Sequence, residues 1–156
     1  MRFDPATSRR NIQMGYYDTM RFMRELPGQL YYFSEKADGF AAFAALPENA
    51  IKAAGIPLRL PEGLSPRRAL FEHILPAVAA ELRLPREVGY DDLLLALLEH
   101  RAEQLGIGRF RWYTPAQLQA VIAESTALPE EPRRPLLRSR PLEAAEILAA
   151  ALPLLG

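Results

Sequence analysis

Cysteine is absent from the 156 residues, which removes disulfide frameworks, thiolate metal sites and cysteine nucleophiles together. Net charge is absent too. With 19 basic and 19 acidic residues in balance, no overall field draws the chain to nucleic acid or an anionic membrane, and a charged partner has to be met by a local patch. Lysine is scarce: only Lys36 and Lys52 stand among the basic residues, the rest being arginine. With 14 prolines, this is the composition of a high-GC or heat-adapted genome. No window reaches the roughly 20 apolar residues of a membrane span, and residues 1–10 lack the apolar stretch of a secretory signal. The expected location is cytoplasmic, with no membrane partner. The nine glycines form no Walker loop, dinucleotide fingerprint or nucleophile elbow, and no His-Glu-x-x-His occurs. Phosphate-loop and serine-hydrolase chemistry have no linear support, and neither a cofactor nor a metal site is implied.

What is present is helical patterning, in a chain whose length and 49% hydrophobic content suffice for one buried core. Over residues 8–26, Ile12, Tyr16, Met20, Met23 and Leu26 recur at three and four while Asp18, Arg21 and Glu25 fall opposite. That is an amphipathic helix, capped by Ser8 and stopped by Pro27-Gly28. Leu30-Tyr31-Tyr32-Phe33 has strand composition, and Asp38-Gly39 is a hairpin signal that sets Phe33 across from Ala44 and Tyr31 across from Leu46. The competing expectation is that the alanines of 40–46 run on as helix into 48–54. Ser65-Pro66 opens a helix over 66–82 with Leu70, Phe71, Ile74, Leu75, Val78 and Leu82 on one stripe and Pro76 opposite, where a kink is expected. The helix beginning at Asp91 is apolar on every side over 93–98, which places it at the centre. Thr114-Pro115-Ala116-Gln117 is a capping box with proline at the first turn.

The expected fold is therefore α+β and α-dominant: five or six amphipathic helices around a central buried helix at about 91–105, with a small antiparallel hairpin at about 30–46. The strand-like residues 109–113 could extend that sheet. Residues 1–128 form one globular domain, 129–141 a Pro/Arg-rich extended connector, and 142–156 a C-terminal docking helix.

Three groups of residues could carry chemistry. Arg101 continues the line of Leu94 and Leu98, where a guanidinium needs a carboxylate or a bound anion; with His100 and Glu103 it makes a candidate small-anion or enzyme pocket. The plainer account is a helix end that has reached the surface, with Arg101 complementing the dipole. Arg109, Arg111, Trp112 and Tyr113 interleave guanidinium and aromatic groups as nucleic-acid platforms do. On a strand, however, Phe110 and Trp112 face away from Arg109, Arg111 and Tyr113, as in an ordinary half-buried strand. Arg133, Arg134, Arg138 and Arg140 cluster in the connector, where they could meet phosphate or simply be solvated. The Glu72-His73 and Glu99-His100 pairs contain both histidines, but neighbours on a helix diverge by about 100°, so neither pair converges on an ion.

The reading favoured by these features is a non-catalytic protein-interaction or homo-oligomerising module, supported by the aromatic and methionine-rich helix at 8–26. Tyr17 and Phe22 add more apolar surface there than a single core uses. Nucleic-acid binding through 109–113 and 133–140, and an anion or substrate pocket around Arg101, are the alternatives.

Overall fold

Short polar side chains with a proline just after them set four of the helix starts. Asp4, Ser65 and Ser139 each accept a hydrogen bond from a first-turn N–H, of Ala6, Arg68 and Leu142 respectively, with Pro5, Pro66 and Pro141 just inside. Thr114 and Gln117 cap one another reciprocally, at 2.9 and 3.1 Å, as the capping box requires. Proline fits these positions because its fixed φ suits the first turn and its missing N–H would have no intrahelical partner.

The computed structural model describes residues 4–127 and 139–153. Among these residues are seven helices: α1 (Pro5–Met23), α2 (Gly39–Ala44), α3 (Glu48–Gly55), α4 (66–81), α5 (Tyr90–Gln104), α6 (Pro115–Ala127) and α7 (Arg140–Ala151). Two short strands, β1 (Tyr32–Phe33) and β2 (Trp112–Tyr113), complete an α-dominant α+β architecture. Helix α5 is central, burying Leu93, Leu94, Leu95, Leu97, Leu98, Glu99 and Ala102. Helices α2, α6 and α7 pack on it, and α7 also lies on α3 and α4. Gln119 of α6, itself buried, donates to the carbonyls of Leu152 and Pro153 and so fixes the end of α7.

The sheet corrects the expected hairpin. β1 pairs with β2 in parallel, Tyr32 beside Trp112 and Phe33 beside Tyr113. Residues 40–46 do not return as a strand. Asp38 caps α2 instead, accepting from Ala41 N at 3.1 Å, and the alanines that follow take up the conformation they favour. Gly39 is demanded by packing: a Cβ there would overlap the Tyr90 carbonyl, and the Gly39 N–H donates to Asp91 Oδ1 at 2.7 Å. Of the expected strand at 109–113 only Trp112 and Tyr113 pair.

Two further boundaries move. Helix α1 begins at Pro5 with Asp4 as its cap, one turn ahead of Ser8, because Asp4-Pro5 supplies both a carboxylate acceptor and a first-turn proline. Ser139–Pro141, expected in the connector, open α7. At Pro76 the strain is relieved upstream, where Ala69–Ile74 takes the wider π-helical pairing. The proline ring would otherwise crowd the Glu72 carbonyl four residues back.

Three helices end alike. After α1, α4 and α5 the chain turns through a left-handed residue while paired N–H groups satisfy the last carbonyls: Glu25 at φ 52°, Arg83 at φ 58° and Gly106 at φ 70°. Only the third uses glycine. Arg83→Gly is therefore expected to raise stability by about 0.5–1 kcal/mol, the left-handed cost outweighing the added backbone entropy. Gly39→Ala is expected to lower it by about 3 kcal/mol, since backbone has to move to admit the methyl group. Urea unfolding of both variants checks this pair, and an unchanged midpoint in either contradicts the backbone account.

Candidate functional site

Glu99 lies on α5 four residues after Leu95, in a helix whose sides are all packed, and is 4% exposed. A carboxylate in that position needs donors. The loop at 29–31 supplies them: the Gln29 N–H lies 3.0 Å and the Tyr31 N–H 2.7 Å from Oε2, and the Leu30 N–H points at the same oxygen. Three consecutive N–H groups aimed one way leave the carbonyls aimed the other, and these meet cations. Arg21 donates to the Gln29 and Tyr31 carbonyls, each at 3.3 Å, and Arg109 Nε donates to the Leu30 carbonyl at 2.8 Å. The Gln29–Leu30 and Leu30–Tyr31 peptide units thus each lie between the Glu99 carboxylate at the N–H end and a guanidinium at the carbonyl end. Gly28, at φ 104°, provides the bend, and a side chain there would strike the Tyr31 carbonyl and the Phe33 ring.

This loop joins α1 to β1, and α1 is rotated from the orientation expected. Of the supposed outer face, Arg21 is half-buried and Asp18, though exposed, bonds to the body, while Glu25 stays outside. Asp18 accepts from the Tyr32 hydroxyl at 2.8 Å, and the Arg21 guanidinium lies 4.3 Å from the centre of the Tyr32 ring. Tyr17 stacks on Tyr32 at 4.8 Å, packs against Trp112 and Phe110, and donates to the Phe110 carbonyl at 3.0 Å. Of the supposed core stripe, Ile12, Tyr16 and Met23 look outward, at 70%, 56% and 71% exposure, with Phe22 beside them at 85%, while Met20 and Leu26 are half-buried. No residue of α1 is buried.

The residues singled out by sequence are distributed as follows. Arg101 is half-buried, 3.9 Å from the Glu146 carboxylate of α7, and its Nη1 lies 3.4 Å from Gln104 Oε1. It lines a mostly apolar cavity of about 400 Å³ with Leu98, Gln119 and Ile122. His100 and Glu103 are not in that wall; Glu103 is exposed, and His100 is half-buried with its Nε2 lacking a hydrogen-bond partner among the described residues. Trp112 and Phe110 face α1, whereas Arg111 lies over the Tyr113 ring at 4.6 Å. The buried Tyr113 donates to the Gly108 carbonyl at 2.6 Å. Arg140 is exposed at the start of α7, and Arg133, Arg134 and Arg138 lie outside the described residues. No group of His, Asp and Glu side chains among the described residues is arranged to hold a metal ion, and no helix there is long and apolar enough to cross a membrane.

No protein-family model, curated protein or solved structure matches this chain.

Sequence reasoning missed Glu99 by reading it with His100 as a neighbouring pair. Its signal was its position between Leu95 and Ala102, on a helix apolar all round. A cavity of about 360 Å³, lined by Gly28, Gln29, Asp92 and Leu95, adjoins the carboxylate, so water can partly replace it when it is removed. Glu99→Ala is accordingly expected to cost about 2–4 kcal/mol, below the full sum for three stranded donors, and to speed amide exchange at residues 29–31. Burial pushes the Glu99 carboxyl above its ordinary 4.5, against the pull of the loop N–H groups and of Arg21. Folding therefore favours the protonated form. That contribution is complete below about pH 4.5 and is lost as pH rises through the displaced value. The unfolding midpoint of wild type relative to Glu99→Gln should fall as pH rises above 4.5, and a relative rise would contradict the assignment.

Proposed function

We propose that this chain is a non-catalytic protein-interaction module whose contact surface is the outward face of α1. The observation that carries the reading is the mounting of α1: polar and aromatic groups hold it to the body, while four large apolar side chains are turned to solvent. An isolated exposed leucine or phenylalanine is ordinary, but a contiguous apolar row along one helix is the mark of a surface covered in use. Methionine and aromatic side chains, which dominate the row, suit such contacts because they bury much area with few rotatable bonds or adapt to the partner. The catalytic alternative draws less support, since Arg101 faces the Glu146 carboxylate and shares its cavity with neither His100 nor Glu103.

The test is a photo-crosslinking side chain placed at Tyr16 or, as a control, at the exposed Lys36. Covalent adducts with protein, whatever their mass, are expected at position 16 and not at position 36. Equal yields at the two positions, or none at either, would remove the interaction reading.

A further inference from the structure

Gly15 stands near the middle of α1 and costs the helix roughly 1 kcal/mol against alanine. Nothing among the described residues repays it. The residue is exposed, its φ is helical, and a Cβ built on it would meet no atom within 4 Å. Glycine is useful on a helix surface where another backbone comes close, so its setting is informative. Ser8, Ile12, Gly15, Thr19 and Phe22 follow one another at intervals of four, three, four and three, and Tyr16 and Met23 flank them. That spacing makes a single seam. None of the seven residues is charged, although α1 carries Arg9, Arg10, Asp18 and Arg21 elsewhere.

Resting on the interaction reading, we propose that the partner of this face is a second copy of the chain, with two α1 helices crossing antiparallel about a twofold axis at Gly15. Three features select a copy over another protein. A twofold axis at the helix midpoint sets Ser8 across from Phe22 of the second copy, Thr19 across from Ile12, and Gly15 across from Gly15, so large residues meet small ones and the surface complements itself. An uncharged seam brings no like charges together when it meets itself and offers no group for recognising a partner of opposite sign. The area also suffices. At about 200 Å² for a large side chain, the exposed parts of Ile12, Tyr16, Phe22 and Met23 amount to some 500 Å². Two copies then bury about 1,000 Å², where specific interfaces begin. The antiparallel sense sets opposed helix dipoles side by side.

Absence of native cysteine makes the test clean. Wild type should sediment as a dimer that dissociates on dilution, and Gly15→Leu should raise the dissociation constant about tenfold or more. The same substitution should leave helicity unchanged and the monomer no less stable, because leucine is the better helix former. On oxidation, an equimolar mixture of Ser8→Cys and Phe22→Cys chains should give a covalent dimer containing one of each, while Met23→Cys alone should not cross-link, since its two copies lie at opposite ends of the pair. A wild type monomeric at its highest soluble concentration, a Gly15→Leu variant that associates as before, or efficient linkage at Met23→Cys would each overturn the arrangement. A monomer that still yields adducts with other proteins at position 16 would overturn self-association alone. A monomer without adducts would remove the interaction reading as well.

Discussion

A single buried carboxylate sets the geometry of the N-terminal third. Removing Glu99 from water is costly, and an ion in that position is tolerated only when its lone pairs are filled by well-placed donors. The loop at 29–31 fills them with backbone N–H groups, which leaves its carbonyls to be satisfied from the other side. Arg21 and Arg109 do this from α1 and from the segment before β2. Four parts of the chain, at positions 21, 29–31, 99 and 109, thus depend on one another. Loss of the carboxylate would release the loop that both orients α1 and delivers Tyr32 to pair with Trp112. An apolar residue at 99 could fill the volume but could not organise the peptide dipoles, which is the better reason for an acid there than any gain in stability.

The same tie explains why helical periodicity misjudged α1. Periodicity assumes that the apolar stripe is the buried one. Here the contacts with the body are made by Tyr17, Asp18 and Arg21, whose hydroxyl, carboxylate and guanidinium each find a specific partner on the segment before β2, on β1 or on the loop. Tyrosine and arginine can do this because both bring apolar area with a polar end. Ile12, Tyr16 and Met23, which read as core by composition, are left outside.

Elsewhere the fold was legible where local chemistry is decisive. The Thr114–Gln117 box, the Ser65 cap and the central position of α5 need nothing beyond neighbouring residues and a run of leucines. The failures share one cause, a distant partner. Asp38-Gly39 serves equally as a turn or as a cap followed by a close approach, and only the contact with Tyr90 and Asp91, more than fifty residues on, decides between them. Parallel pairing of Tyr32 with Trp112 likewise requires the whole helical body to lie between the strands, so no hairpin signal precedes it. Of the candidate site, the surplus of aromatic and methionine side chains near the N-terminus was visible, but which of them face outward was not. That depends on Glu99, whose three donors are set by tertiary structure alone.

The proposed association of α1 gains from the contacts that hold its C-terminal half to the body. A helix with no buried residue would ordinarily fray and swing, and a partner would have to bear the entropy of ordering it. Helix α1 is instead tied at its C-terminal half by a stacked tyrosine, two side-chain hydrogen bonds and a guanidinium held between ring and carbonyls. The half of the seam from Tyr16 onward is held in place by these contacts, so that in the proposed dimer the apolar area of Tyr16, Phe22 and Met23 goes into association rather than into folding. An interface of about 1,000 Å² is marginal for a flexible arm and sufficient for a preorganised one. In the proposed dimer the polar network around Glu99 and the apolar row on α1 are one device, the first fixing the surface that the second presents.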